Sequence, residues 1–263
     1  LVQLFRGLVQ FQTWKTENIV TASARQAAYQ TENTGKEESQ YDMLKGLELS
    51  YDHFRTIQDY CKKIGIDFLS TPDEEESLEF LVSLGLPFIK VGSGEVTNIP
   101  YLRKIGNCKK PVILSTGMSN IAQVALAYDT LLQAGADGVS LLHCTTNYPC
   151  PYNEVNLKAM ITLRETFKCK VGYSDHTMGT EVPVAAVAMG AEIIEKHFTL
   201  DKNMEGPDHK ASLEPAELKL MVQQIRNIEV ALGDGIKRPN KSEAENAKVV
   251  QKSILAKKYI KKG

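Results

Sequence analysis

The sequence predicts an α/β protein, a (β/α)8 TIM barrel, from three observations. Short apolar runs rich in β-branched residues alternate with longer amphipathic segments along the chain. After the first run, most successive runs begin roughly 20 to 30 residues apart, which is the repeat expected of a barrel unit. Most of the amphipathic segments end in glycine, the usual residue at a helix C-terminus. A doubly wound open sheet is the alternative fold, but it usually carries a GxGxxG turn after its first strand, and this sequence has none there.

The short apolar runs predict seven strands. In chain order they are residues 8–11, 66–70, 88–91, 112–115, 139–143, 170–174 and 192–197. A barrel of this class needs eight strands to close. We therefore expect that the first β/α unit is missing from this chain and that it precedes the chain in the full protein.

Between these strands, apolar residues recur at helical spacing and predict helices. The clearest examples are residues 50–65, 75–85, 120–135 and 182–191. The long stretch from Thr13 to about Ser50 is rich in Gln, Glu, Thr and Asn. We expect that stretch to form a loop-rich insertion after the first strand.

Composition indicates a globular enzyme and excludes several classes of partner. Of the 263 residues, 43% are hydrophobic and 24% are charged, and the net charge of −1 gives no electrostatic reason to expect nucleic acid or an anionic membrane. No apolar run of about 18 residues could cross a bilayer. The five cysteines form no CxxC pair, which favours reduced thiols in a cytoplasmic protein.

Polar side chains follow the predicted strands at their carboxyl ends, where a barrel of this class carries its active site. Lys90 is followed by VGSGE, which puts an ammonium group, the Ser93 hydroxyl and glycine-flanked N–H groups within reach of one anion. Ser115 and Ser174 end other strands and add hydroxyl donors. A structural interpretation competes with this one: Lys90 could reach solvent along its stem, and the serines could cap the following helices.

Two histidines, His176 and His197, end the last two predicted strands. As neutral nitrogen ligands they could share a Mn²⁺, Mg²⁺ or Zn²⁺ ion and leave coordination positions for water and substrate. A lone histidine at a strand end is more often a hydrogen-bonded structural residue, but two at consecutive strand ends make a metal site an equal alternative. Beyond them, Pro207 stiffens a loop that carries Asp208 and His209 towards the barrel mouth, although both residues are also ordinary turn formers.

A resemblance to a known family covers almost the whole chain. It is carried, in order, by the strings VGSGEVTNIPYL, VILSTGM, LLHCTTNYPCP, GYSDHT, EKHFTLDKNMEGPDHKASLEPAEL and KSILAKKYIKKG. Together they resemble the sialic acid synthase family, which condenses phosphoenolpyruvate with an N-acetylated amino sugar. The resemblance runs from about Gly7 to Gly263.

The resemblance implies a role for each matching position. Four residues, Glu95, His176, His197 and Asp208, are implied to be catalytic, and of these His176 and His197 are implied to hold Mn²⁺ (or Mg²⁺). The residues implied to bind phosphoenolpyruvate are Lys90, Ser93, Ser115, Ser174 and Asn147, with Thr146 as the alternative to Asn147 because the register is ambiguous there. Those implied to surround the acceptor sugar are Gln12, Tyr148 and Asp208, while Glu95 is implied to lie close to the reacting carbons.

The reaction implied by the resemblance joins phosphoenolpyruvate to N-acetylmannosamine and yields N-acetylneuraminate and phosphate. The alternative acceptor is a 2,4-diacetamido-2,4,6-trideoxy-mannose, which would give N,N'-diacetyllegionaminate. Carbon 3 of phosphoenolpyruvate attacks the sugar aldehyde, water adds at carbon 2, and phosphate leaves by C–O cleavage. The family resemblance also implies a cytoplasmic homodimer that works on small molecules.

The sequence departs from the family in three places. The family's first strand has an EIGxNHNG-like segment with a glutamate, and no such unit is present here. Where most members have VKFQT, this chain has VQFQT, so Gln10 replaces a lysine that binds phosphoenolpyruvate. The chain stops at Gly263, where the family continues into an antifreeze-like (SAF) domain that reaches across a dimer. We therefore expect residues 1–238 to form an N-terminally incomplete TIM-barrel catalytic domain and residues 239–263 to be a linker towards that absent domain.

Two other functions remain open from the sequence. A pyruvate lyase that forms a Schiff base would need a desolvated lysine, for which Lys90 or Lys196 could serve. A non-catalytic sugar-phosphate binding homologue is suggested by Gln10 and by the missing pieces.

Overall fold

The computed structural model describes residues 2–3, 6–36 and 38–263. Within them the strands are β1 (Val2–Gln3), β2 (Arg6–Thr13), β3 (Asp67–Pro72), β4 (Ile89–Val91), β5 (Val112–Ser115), β6 (Val139–His143), β7 (Val171–Asp175) and β8 (Ile194–Lys196). Strands β2 to β8 coincide with the seven predicted runs, with ends that differ by up to two residues. The mostly apolar sequences of these strands fit a sheet that is covered on both faces, because such strands need no alternation of polar and apolar residues.

The strands form one sheet of barrel-like topology. Strand β2 pairs with β3 in parallel, and β4 to β8 pair in parallel in chain order. Strand β1 lies between β2 and β8 and is antiparallel to both, so it occupies the position where a parallel first strand was expected. The α/β class and the barrel-like arrangement are confirmed, whereas the absence of a first unit from this chain stays a prediction.

The described residues form eleven α-helices, of which those between Tyr51 and Leu232 pack on the outer side of the sheet or on one another. The eleven helices are α1 (Thr16–Ile19), α2 (Ala28–Thr34), α3 (Gln40–Leu47), α4 (Tyr51–Ile64), α5 (Glu75–Ser83), α6 (Ile99–Asn107), α7 (Ile121–Ala134), α8 (Lys158–Phe167), α9 (Glu181–Ala188), α10 (Pro215–Leu232) and α11 (Lys241–Val250). The four predicted helices correspond to α4, α5, α7 and α9. Helices α4 and α7 end at Gly65 and Gly135 in the left-handed conformation, as the glycine positions indicated.

The insertion after β2 is more ordered than its composition indicated. Helices α1, α2 and α3 lie within it, so the prediction of a loop-rich segment is wrong there. Local contacts replace a large apolar face: Ser39 caps α3 by accepting the Asp42 N–H, and Glu48 accepts hydrogen bonds from the N–H and hydroxyl groups of Thr16. Polar hydrogen bonds of this kind leave little hydrophobic periodicity in the sequence.

The main core lies between the sheet and helices α6 to α10. Fully buried members include Leu102, Leu114, Leu141 and Met160, each contributing roughly 1.5–3 kcal/mol of burial free energy. A separate apolar layer of Ile113, Leu142 and Ile193, with Phe88 beside it, fills the interior of the barrel. Polar side chains replace apolar ones one layer closer to the carboxyl ends of the strands.

Residues 239–263 are exposed almost throughout, including the whole of α11 except the half-buried Ala247. The domain boundary and the linker interpretation stay predictions. In the described part of the chain, no helix is both long enough and apolar enough to cross a membrane.

Candidate active site at the carboxyl ends of the strands

The two histidines predicted from the strand ends meet at the barrel mouth. The ring centroids of His176 and His197 are 5.4 Å apart, with the ring planes inclined at 69°. They come together because β7 and β8 are parallel neighbours, with Ser174 opposite Glu195 and Asp175 opposite Lys196. His176 and His197 are the next residues after Asp175 and Lys196, so the two rings leave neighbouring strands side by side.

The hydrogen bonding of His176 leaves one ring nitrogen available to a ligand. Its Nδ1 lies 2.6 Å from the carbonyl oxygen of Thr145, so Nδ1 carries the proton and Nε2 keeps its lone pair. Burial lowers the pKa of His176, and burial together with the neighbouring His176 lowers the pKa of His197. Both imidazoles are therefore neutral at physiological pH, which is the form that binds metal ions.

Asp208 is the carboxylate that, among the described residues, comes within 4.0 Å of this pair. Its Oδ2 lies 3.8 Å from His197 Nδ1, and burial raises the pKa of Asp208 to about 6. Among the described residues, Asp208 Oδ1 is buried without a hydrogen-bond partner, and no group of three or more His, Cys, Asp or Glu side chains is arranged to hold a metal ion. The donor set thus fits an ion held by two histidines, with its other positions open to oxygen ligands.

The predicted anion pocket surrounds a buried lysine. Lys90 is only 3% exposed, and its Nζ donates to Ser115 Oγ at 2.8 Å and to the Val91 carbonyl at 3.2 Å. The interpretation of Lys90 as a rim lysine that reaches solvent is therefore wrong. Ser93 Oγ accepts the Gly117 N–H at 2.9 Å, which places a second hydroxyl from a neighbouring loop at the same pocket. Ser174 is also buried, in the interior layer beside Glu195.

Glu195 is a member of this site that the sequence analysis missed. Its Oε2 lies 3.4 Å from Lys90 Nζ, and its Oε1 accepts a hydrogen bond from Gln10 Nε2 at 3.0 Å. Burial is the largest influence and would raise the pKa of Glu195, but the Lys90 charge together with His176 and a hydrogen bond from Ser174 lowers it overall. Alternation along EIIEKH could have found it, because Glu195 stands two residues before His197 and therefore on the same face of β8.

Gln10, which stands where the family resemblance implies a lysine, lies in the same layer. Its Nε2 also donates to Thr71 Oγ1 at 3.1 Å, while its Oε1 is buried and has no partner among the residues that the structure describes. The Lys90 ammonium is therefore matched by the Glu195 carboxylate, and Gln10 adds no positive charge. This pocket carries less positive charge than an anion site with a second lysine would.

Aromatic rings and an asparagine lie together on the side of the mouth near Asp208. The Tyr148 ring packs 4.1 Å from His176 and stacks on Tyr29 at 5.2 Å, measured between centroids. Asn33 Nδ2 donates to the carbonyls of Tyr148 at 2.9 Å and Pro207 at 2.7 Å. Helix α2 therefore joins the loop that carries Tyr148 to the loop that carries Asp208, an arrangement that the composition of the insertion did not reveal.

The remaining predicted residues are less closely associated with the histidines. Gln12 is exposed at the end of β2, and Asn147 is half-buried with its N–H bonded to the Thr145 carbonyl. Thr146, the alternative to Asn147, has a buried hydroxyl next to Gly117. Glu95 accepts a hydrogen bond from Asn98 and lines a cavity of about 630 Å³ on the α5 side of the mouth.

That cavity is strongly acidic. It is lined by Asp73, Glu74, Glu76, Glu79 and Glu95, among others. Burial raises the pKa of Asp73 to about 7, and the Glu95 charge adds to the shift. Ionisation of Asp73 at neutral pH therefore lowers the free energy of unfolding.

We expect Asp73→Asn to stabilise the protein in a pH-dependent way. The folded-state pKa of Asp73 lies above the unfolded value of about 3.9, so the wild type loses stability as the pH rises from about 4 to about 7. The variant should show a higher melting temperature at pH 8 and no gain at pH 4. Thermal unfolding across this range measures the difference, with the exposed Asp67→Asn as control. An equal gain at both pH values would contradict the prediction.

Gly117 is required for the close approach of three side chains in the anion pocket. An added Cβ would lie 2.9 Å from Ser93 Oγ and 3.0 Å from Cys144 Sγ, and would also meet Thr146 Oγ1. We expect Gly117→Ala to displace Ser93 and to weaken anion binding about tenfold, the effect of losing roughly one hydrogen bond to a charged group. Gly94→Ala is the matched control, because its Cβ would meet nothing within 4 Å. The affinity for phosphoenolpyruvate, the anion that the family resemblance implies, should fall only for the first variant when it is measured by calorimetry.

Comparison with known proteins gives concordant matches. The NeuB family matches residues 6–237. The chain is 53% identical to the N,N'-diacetyllegionaminic acid synthase of Campylobacter jejuni and 46% identical to that of Legionella pneumophila, over 97% of this chain and 77% and 73% of the relatives. A crystal structure of the N-acetylneuraminic acid synthetase of Leptospira borgpetersenii in complex with citrate is similar with a TM-score of 0.79 and 29% identity, covering 96% of this chain and 84% of that one.

Proposed function

Because the chain belongs to the NeuB family, the sialic acid synthases, we propose that it condenses phosphoenolpyruvate with a 2,4-diacetamido-2,4,6-trideoxy-mannose. The products are N,N'-diacetyllegionaminate and phosphate. The observation that carries the proposal is the identity of 53% and 46% to two relatives named as synthases of that product. These two relatives favour the diacetamido-trideoxy sugar, which was predicted from the sequence as the alternative acceptor. N-acetylmannosamine was predicted as the main acceptor.

The geometry of the anion pocket supports a role in binding phosphoenolpyruvate. Lys90 supplies the charge, Ser115 is already oriented towards it at 2.8 Å, and Ser93 is fixed by the Gly117 N–H. Ser174 completes the interior layer on the side of the histidines. Held in this pocket, the substrate would present its enol carbon to the mouth, where Tyr148 and Asp208 lie.

We propose that His176 and His197 hold Mn²⁺ (or Mg²⁺). When bound, such an ion polarises a carbonyl oxygen and so supplies electrophilic activation of an aldehyde. The protein's own contribution is to keep both rings neutral and to orient His176 through the Thr145 carbonyl. Asp208, with its raised pKa, is placed to give or accept a proton at the acceptor side.

The Schiff-base alternative is less compatible with the two candidate lysines. Lys90 Nζ contacts Glu195 and Ser115, and Lys196 Nζ lies 2.7 Å from Asp175 with no exposed side-chain area. Neither amine is free to attack a keto-acid carbonyl.

A homodimer that completes the site also belongs to this proposal.

The test is phosphate release from phosphoenolpyruvate in the presence of Mn²⁺. We expect release with the diacetamido-trideoxy sugar, less with N-acetylmannosamine, and none without acceptor. A faster reaction with N-acetylmannosamine would contradict the proposed acceptor, and no release with either sugar would contradict the proposed reaction. Borohydride treatment in the presence of pyruvate should give no covalent adduct, whereas an adduct would support the lyase.

A further inference from the structure

We propose that the buried ion pair between Asp175 and Lys196 positions the two candidate metal-binding histidines. The inference rests on the proposed role of His176 and His197 as ligands. Asp175 Oδ2 and Lys196 Nζ are 2.7 Å apart, and neither side chain has any exposed area. Each residue of the pair directly precedes one of the histidines in the sequence.

The pair joins β7 to β8 where the two histidines leave the strands. Asp175 is directly opposite Lys196 in the parallel register. Because side chains alternate along a strand, the pair lies on the face opposite to Ser174 and Glu195, outside the polar interior. It cannot touch a ligand in the mouth, so any effect on the site passes through the backbone and the adjacent histidines.

Thr177 extends this connection to the other side of His176. Asp175 Oδ1 accepts hydrogen bonds from the Thr177 N–H at 3.1 Å and from its hydroxyl at 2.9 Å. Lys196 Nζ donates to the Thr177 carbonyl. The residue before His176 is thus a member of the pair and the residue after it is bound to both members, while the His176 carbonyl accepts the Cys150 N–H at 2.8 Å.

A buried ion pair of this kind gives little net stability. Its desolvation cost offsets most of the attraction, and well-packed apolar replacements are often neutral or stabilising. Stability alone therefore gives no reason for these two side chains. Their hydrogen bonds instead fix the direction in which both strands leave the sheet, and so the separation of the histidine rings.

The test is a double variant, Asp175→Leu with Lys196→Met, which removes both charges together. Single variants would leave an uncompensated buried charge, which strongly destabilises a fold. We expect the double variant to fold, with a melting temperature below that of the wild type because the buried Thr177 N–H, hydroxyl and carbonyl lose their partners. Its dissociation constant for Mn²⁺, measured from the free-ion signal by electron paramagnetic resonance, should rise about 10-fold to 100-fold, as for other groups that orient metal ligands.

The matched control is Thr13→Val with Ser70→Ala. These two buried hydroxyls are 2.7 Å apart and join β2 to β3, away from the histidines. This variant should bind Mn²⁺ as the wild type does. Equal Mn²⁺ affinity in the wild type and the Asp175/Lys196 variant would overturn the proposal, as would no Mn²⁺ binding by the wild type. Because binding is measured without substrates, a chain that binds Mn²⁺ through the histidines but releases no phosphate would contradict the proposed function and leave this inference intact.

Discussion

Replacing His176 or His197 with alanine is expected to slow phosphate release at least about 100-fold. Changes to groups that merely orient a metal ligand already cost about 10-fold to 100-fold, and these two imidazoles are the proposed ligands themselves. The rings are 5.4 Å apart and neutral, so each contributes a nitrogen that the other cannot replace. The measurement is the turnover number at saturating phosphoenolpyruvate and Mn²⁺.

The control for this experiment is His53→Ala. His53 is exposed on α4, and its N–H bonds to Ser50 at the start of that helix. Its replacement should leave turnover unchanged. A loss of less than tenfold in both active-site variants would show that the histidine pair is not central to the reaction. Unchanged melting temperatures are required in all three variants.

Restoring a lysine with Gln10→Lys is expected to lower the KM for phosphoenolpyruvate about tenfold. The existing pocket pairs Lys90 with Glu195, which leaves no excess positive charge from these two groups. Gln10 Nε2 lies 3.0 Å from Glu195 Oε1. A lysine at position 10 would therefore compete with Lys90 for the Glu195 carboxylate and leave Lys90 available to the anion. A hydrogen bond to a charged group contributes about 1.5 kcal/mol or more, equivalent to about a factor of ten.

Gln10→Met is the comparison variant for this prediction. It has a similar length and carries no charge, and it removes the donor to Glu195 and Thr71. We expect no improvement in KM from methionine. An equal KM in the wild type and the lysine variant would mean that the substrate does not approach Gln10. Measurable wild-type turnover would also argue against the non-catalytic homologue.

The sequence predicted the strands well because their burial is encoded locally. Runs such as 112–115 and 139–143 are short, β-branched and bounded by turns, and the structure has strands at those same residues. The strand-end histidines followed from the same pattern, since parallel neighbours bring their carboxyl ends together. In both cases the information lies within a few consecutive residues.

Other parts of the site depend on contacts distant in sequence. Glu195 was hidden in an apolar run because its partners, Lys90 and Gln10, come from other strands. Asn33 lies in a polar segment without periodicity, and its role is visible only once the loops of Tyr148 and Pro207 are adjacent. Composition cannot report such contacts, because the residue types involved are also ordinary surface residues.

The most direct test of the proposed condensation follows the bridging oxygen of phosphoenolpyruvate. The substrate is labelled with ¹⁸O between carbon 2 and phosphorus and is incubated with the protein, Mn²⁺ and the diacetamido-trideoxy sugar. Because water adds at carbon 2 and phosphate leaves by C–O cleavage, mass spectrometry should find the label in inorganic phosphate and not in the nine-carbon product. Label retained in an organic product, or no labelled phosphate at all, would contradict the proposed reaction.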